Sequence, residues 1–137
     1  MDSDSSILWL ATETGGLNKL ILTRNKRFEL FTFEHFTKSD VNSSIRSEAI
    51  HSILSEGKNL LWIGYYGHGL GVATWTNALE KPLFKIINRE NHQGALSGNI
   101  IRNILRDSFG KLWIATNNGL NVMNENSSDI TKSTFHS

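Results

Sequence analysis

The stretch Leu61-Trp62-Ile63-Gly64-Tyr65-Tyr66-Gly67-His68-Gly69-Leu70 decides the fold, because the chain states nearly the same phrase three times. Fifty-three residues earlier it reads Leu8-Trp9-Leu10-Ala11-Thr12-Glu13-Thr14-Gly15-Gly16-Leu17-Asn18. Fifty-one residues later it reads Leu112-Trp113-Ile114-Ala115-Thr116-Asn117-Asn118-Gly119-Leu120-Asn121. Each copy sets Trp among apolar residues, follows it with a small residue and a short polar loop, and closes on Gly-Leu. A period of this size marks a stacked repeat, in which each unit buries its flat faces against its neighbours.

Working outward, the units read as short strands between turns. Trp, Ile, Thr and Val at alternate positions between glycines favour strands over helices. In the first unit Ile7 to Thr12 and Leu17 to Leu22 are β-prone, and Gly15-Gly16 turns the chain between them. A further strand is expected with Phe28, Leu30 and Phe33 on one face and Arg27, Glu29 and Thr32 on the other. The polar run 34–47 then reads as a connecting loop. The second unit adds a leading strand at Ile50, Ile53 and Leu54, and continues with Leu60 to Tyr65, Leu70 to Trp75 and Leu83 to Ile87. A second polar loop spans 88–99. The third unit runs through 100–105, Lys111 to Thr116 and Leu120 to Met123, and in its polar tail Ile130 and Phe135 hint at a fourth strand.

Four strands per unit with a Trp phrase at the second describe a β-propeller blade. The expected fold is all-β: a partial propeller of about three four-stranded antiparallel blades, the first and last incomplete, as a fragment of a larger propeller. Residues 1–137 form one domain, divided 1–47, 48–99 and 100–137. Three units cannot close a ring, so the outer faces remain as apolar patches. They are to be covered by remaining blades of a longer protein or by self-association.

Composition narrows the function. Net charge is +1 with acids and bases interspersed, which argues against a nucleic-acid partner. Cysteine is absent, so disulfides and thiolate metal sites are excluded. No apolar run is long enough to span a bilayer as a helix, and the polar start, Met1 to Ser6, does not resemble a signal peptide.

The segment Ile101-Arg102-Asn103-Ile104-Leu105-Arg106-Asp107-Ser108-Phe109-Gly110-Lys111-Leu112-Trp113-Ile114-Ala115-Thr116-Asn117-Asn118-Gly119-Leu120-Asn121 resembles the two-component regulator propeller repeat. That pattern runs roughly Ile-x-x-Ile-x-x-Asp-x-x-Gly-x-Leu-Trp-Ile-Gly-Thr-x-x-Gly-Gly-Leu-Asn. Segments 50–71 and 7–20 match it less fully. The resemblance implies the periplasmic sensor portion of a hybrid two-component sensor histidine kinase of the Bacteroides type, sensing oligosaccharides. The middle copy departs from the pattern: Tyr65 replaces the threonine of Thr12 and Thr116, His68 takes a glycine position, and Gly71 replaces the asparagine of Asn18 and Asn121.

Trp9, Trp62 and Trp113 are expected to fill the boundaries between blades. Gly16, Gly69 and Gly119 are expected to allow positive φ in the following turn. The run Gly64-x-x-Gly67-x-Gly69-x-Gly71 has neither dinucleotide nor P-loop spacing, so no cofactor is expected. His35, His51, His68, His92 and His136 are scattered, and no serine sits in Gly-x-Ser-x-Gly; the reading assigns no metal and no catalytic residue. Loops at one end of the scaffold offer the binding chemistry instead. Tyr65, Tyr66, His68, Arg89, Glu90, Asn91 and His92 supply aromatic faces and planar polar groups suited to a sugar. The expected function is therefore a ligand-sensing, non-enzymatic fragment recognising carbohydrate. An interaction or assembly module is the alternative. A propeller lyase or hydrolase would need a clustered histidine and carboxylate that the sequence does not offer.

Overall fold

Alternating apolar and polar residues between tight turns form eleven strands in the computed structural model, which describes residues 4–38, 45–57, 59–87, 96–124 and 134–136. They make three antiparallel sheets. The first holds β1 (Asp4–Ala11), β2 (Leu17–Arg24) and β3 (Glu29–Phe36). The second holds β4 (Ile50–Glu56), β5 (Leu60–Tyr65), β6 (Leu70–Thr74) and β7 (Leu83–Ile87). The third holds β8 (Ile101–Arg106), β9 (Leu112–Thr116), β10 (Gly119–Asn124) and the three-residue β11 (Thr134–His136). Within each sheet neighbours in sequence are neighbours in space, as in a partial propeller. Phe135 does lie on a fourth strand, with its side chain buried, so the last sheet is more complete than the sequence suggested. Ile130 falls outside the described residues.

The first strands of the second and third sheets, β4 and β8, carry the same irregularity. Ile50 pairs with Tyr65 and Ser52 with Gly64, leaving His51 as an extra residue; Ile101 pairs with Thr116 and Asn103 with Ala115, leaving Arg102. Such a bulge shifts the alternation by one residue. It therefore puts Ile50 and Ile53 on one face, and likewise Ile101 and Ile104, although each pair is three apart.

The second sheet is buried on both sides. Leu61, Ile63, Tyr65 and Ala73 pack with Trp9, Leu17, Ile45 and Ile50 toward the first sheet. Trp62, Leu70, Val72 and Ile87 pack with Ile101, Ile104, Leu112 and Ile114 toward the third. Trp9 thus faces the second sheet and Trp62 the third. Trp113 pairs with Leu105 and Val122, and that face carries the exposed Leu105 and Leu120. The row has a direction: Trp9 and Trp62 look toward the sheet that follows, and Trp113 lies on the corresponding, open face of the third. Truncating a buried Trp of this kind costs about 3–5 kcal/mol.

Charged side chains supply some of the polar links across the boundaries. Lys19 is fully buried; its Nζ donates to the Ala78 carbonyl at 2.6 Å and lies 3.2 Å from the Glu34 carboxylate, an ion pair without hydrogen-bond alignment. Glu56 accepts from Arg106 Nε at 2.9 Å and Nη2 at 2.7 Å, joining β4 to β8. The same carboxylate accepts from Trp62 Nε1 at 3.1 Å, and Asp107 accepts from Trp113 Nε1 at 2.8 Å. Trp9 Nε1 and Trp75 Nε1 are buried without an acceptor.

The third strand of the first sheet corrects one expectation. Phe33 pairs with Leu20 and Phe31 with Leu22, so Phe31 and Phe33 share a face, while Leu30 and Thr32 lie on the other. Strict period-two alternation over Glu29–Phe36 places them so, and Phe28 belongs to the preceding turn, where its N–H is held by Asn25 Oδ1. The strand also runs three residues into the run read as loop. Leu8, Leu10, Phe31 and Phe33 are all exposed there, which makes one side of this sheet an open apolar surface, 69% of Phe33 being accessible.

Candidate functional site at the turn end of the sheets

Each strand bearing the repeated Trp ends in a turn, and the three turns lie at the same end of their sheets. In the first, Thr12 Oγ1 donates to the Gly16 carbonyl at 2.9 Å and accepts from Gly15 N–H. In the third, Thr116 Oγ1 donates to the Gly119 carbonyl at 3.0 Å and accepts from Asn118 N–H. The glycines Gly16, Gly69 and Gly119 take φ of 76°, 82° and 132°. At Gly16 a Cβ would lie 2.2 Å from the Phe36 carbonyl oxygen, so no side chain fits. The turn glycine also fastens the next sheet: Gly16 N–H donates to Glu48 O at 3.1 Å, and Gly69 N–H to Asn99 O at 2.8 Å.

The third sheet shows what the asparagine of the phrase does. Asn121, 1% exposed, accepts the Ser97 N–H at 2.9 Å and donates to Ser97 Oγ at 2.8 Å. It pins the segment leading into its own sheet. In the middle sheet Gly71 stands at that position and Arg46 at that of Ser97. There the Tyr65 phenol is buried, with the Arg46 backbone N–H and charge acting on it electrostatically. The ring fits because Gly71 has no side chain: a Cβ at Gly71 would lie 2.5 Å from Tyr65 Cε2. In the middle copy the tyrosine ring thus fills the space that glycine leaves open at the asparagine position. Burial raises the Tyr65 pKa well above the ordinary phenol value, the Arg46 N–H and the Arg46 charge opposing in part.

This placement bears directly on the residues singled out from sequence. Tyr65 is 1% exposed and belongs to the core between the first and second sheets, so its ring face is not on the surface as expected. Tyr66, 49% exposed, and His68 do lie on the turn surface. Arg89, Glu90, Asn91 and His92 fall outside the described residues. His51, which sequence reasoning passed over, is the extra residue of the bulge, and its ring lies 5.2 Å from that of Tyr66 at 53°. The signal for it was the Ile50-x-x-Ile53 spacing, since a bulge re-aims the side chain it inserts.

Equivalent places in the other sheets are polar. Glu13 and Asn117 correspond to Tyr66, and Arg102, at the second bulge, corresponds to His51. The strands β4 and β8 that carry the bulges are side by side, Ser52 Oγ accepting the Ile104 N–H at 3.2 Å. Asn117 N–H donates to Ile100 O and Tyr66 N–H to Ala49 O, so the backbone under both is fixed. Among the described residues the turn end thus carries an aromatic–imidazole pair in the middle sheet, with carboxylate, amide and guanidinium residues at the equivalent positions of the other two. Among the described residues no three of His, Asp and Glu converge as metal ligands.

Residues 95–118 match the family model described as two component regulator propeller. No curated protein matches the chain. The matched residues begin in the segment leading into the third sheet and end in its Trp turn, so this part of the chain is a repeat of that family, and the first and second sheets repeat its phrase.

Proposed function

We propose that this chain of two-component regulator propeller repeats is a non-catalytic ligand-recognition segment, and that its turn end binds carbohydrate outside the cytoplasm. The observation carrying this reading is the exposed Tyr66 ring beside His51, on backbone held by a bulge and by the Ala49 carbonyl. A sugar offers C–H faces that stack on an aromatic ring and hydroxyls that bond to planar polar groups. Glu13, Asn117 and Arg102 supply such groups at the equivalent places of the neighbouring sheets. Within a hybrid sensor kinase, such a segment would pass occupancy on to a kinase elsewhere in the protein. Calorimetric titration with a panel of oligosaccharides tests it: one member binds, and Tyr66→Ala or His51→Ala weakens it at least about tenfold. Absence of binding across the panel, or binding indifferent to both variants, refutes the assignment.

The open faces favour a second reading, assembly. The Trp113 face of the third sheet and the Phe31–Phe33 face of the first are the front and back of the contact already made twice within the chain. A second copy is the occupant that reproduces that contact, head to tail. Light scattering tests it: Phe33→Asp, on an exposed position, converts an oligomer to monomer, and a wild-type monomer at all concentrations rejects it.

A further inference from the structure

The open edge of the first sheet carries an inference independent of sugar binding. In the second and third sheets the Trp strand has a strand on each side. Those on the near side, β4 and β8, share one pattern: Ile50-x-x-Ile53-Leu54-x-Glu56 and Ile101-x-x-Ile104-Leu105-x-Asp107. Both end on the carboxylate that accepts the indole N–H, Glu56 from Trp62 at 3.1 Å and Asp107 from Trp113 at 2.8 Å. In the first sheet, among the described residues, nothing pairs with β1 on that side. Trp9 Nε1, on a side chain 7% exposed, is a buried donor without an acceptor. A buried donor left unpaired is costly, and a charged acceptor is the strongest remedy. An unpaired strand edge accepts another strand by the same backbone bonds that build a sheet.

We infer that the β1 edge is a docking site for one extended peptide segment of the form apolar-x-x-apolar-apolar-x-acidic, whose terminal carboxylate accepts from Trp9 Nε1. The register follows from the second sheet, where Leu54 pairs with Trp62 and Glu56 with Leu60. The incoming acidic residue therefore pairs with Ile7, and the apolar residue two before it with Trp9. Leu8 and Leu10, exposed on β1, gain cover from the segment's other side chains.

The test adds to the intact chain a synthetic peptide with the sequence of residues 99–110, followed by 1H–15N spectra of the indole N–H groups. Trp9→Phe identifies the Trp9 signal. The expected result is saturable binding, a downfield movement of the Trp9 indole proton, and at least about tenfold weaker binding by the same peptide carrying Asp107→Asn. A peptide that does not bind overturns the proposal. So does one that binds without moving the Trp9 signal, or that binds equally well with the amide.

Discussion

Gly71→Ala puts a single methyl against the Tyr65 ring, and the outcome turns on two opposed magnitudes. Gly71 lies mid-strand and is not among the positive-φ glycines, so alanine suits its backbone and would by itself stabilise the strand by about 0.5–1 kcal/mol. The added Cβ, however, would sit 2.5 Å from Tyr65 Cε2 and 3.2 Å from Cζ and the hydroxyl. Ordinary carbon contacts begin near 3.5 Å, so the ring must retreat by about 1 Å. It has nowhere to go, being enclosed by Leu17, Ile45, Ile50 and Ile63. Overpacking of this kind costs about 1–3 kcal/mol, which exceeds the backbone gain. The net expectation is destabilisation by about 1–2 kcal/mol, read as a lower urea midpoint at unchanged slope by tryptophan fluorescence. Tyr65→Thr alone should cost about 3–5 kcal/mol by leaving a cavity where the buried ring stood. The double variant Tyr65→Thr, Gly71→Asn places a side chain at 71 in the space the lost ring vacates, and should be milder than the sum of its single changes by at least about 1 kcal/mol. A Gly71→Ala midpoint equal to wild type, or strict additivity in the double variant, would refute the reasoning.

Glu56→Gln keeps an acceptor for Trp62 but removes the charge paired with Arg106; with both side chains 25% exposed the cost should be about 1 kcal/mol, and should shrink when salt is added. Lys19→Ala should cost about 2–4 kcal/mol in denaturant unfolding, since it strands the Ala78 carbonyl and the Glu34 carboxylate at a dry boundary. The alkaline limb of a stability–pH curve should fall as pH rises past the ordinary phenol pKa of 10.0 toward the raised value of Tyr65, because the unfolded chain loses that proton first; Tyr65→Phe should flatten this limb. On the acid side Asp107, held below its ordinary value of 3.8 by Trp113 Nε1 and backbone N–H groups, contributes stability that is lost as pH falls through its lowered pKa, and Asp107→Asn should remove that part of the slope.

The fold was legible because the Trp phrase fixes strand, turn and strand with residues whose alternatives are poor. Other features were hidden by physics that a single sequence does not display. The spacing of Ile101 and Ile104 looks helical until a bulge explains it. Tyr65 read as an exposed aromatic because it follows a glycine and precedes a polar loop, yet the space above Gly71 draws it inward. That exchange involves two positions six apart, opposite in effect only when the sheet brings them together. His51 went unnoticed for the same reason: its direction is set by register, not by its neighbours in sequence.

The backbone bond from the turn glycine of one sheet to the lead-in of the next has a consequence for how such proteins grow. Gly69 N–H reaches Asn99 O, just inside the block that the family pattern spans. A block duplicated from that point brings its own fastening to whatever precedes it. Genes can then lengthen or shorten the row by whole blocks without devising a new contact, leaving the curvature of the stack to decide which lengths close.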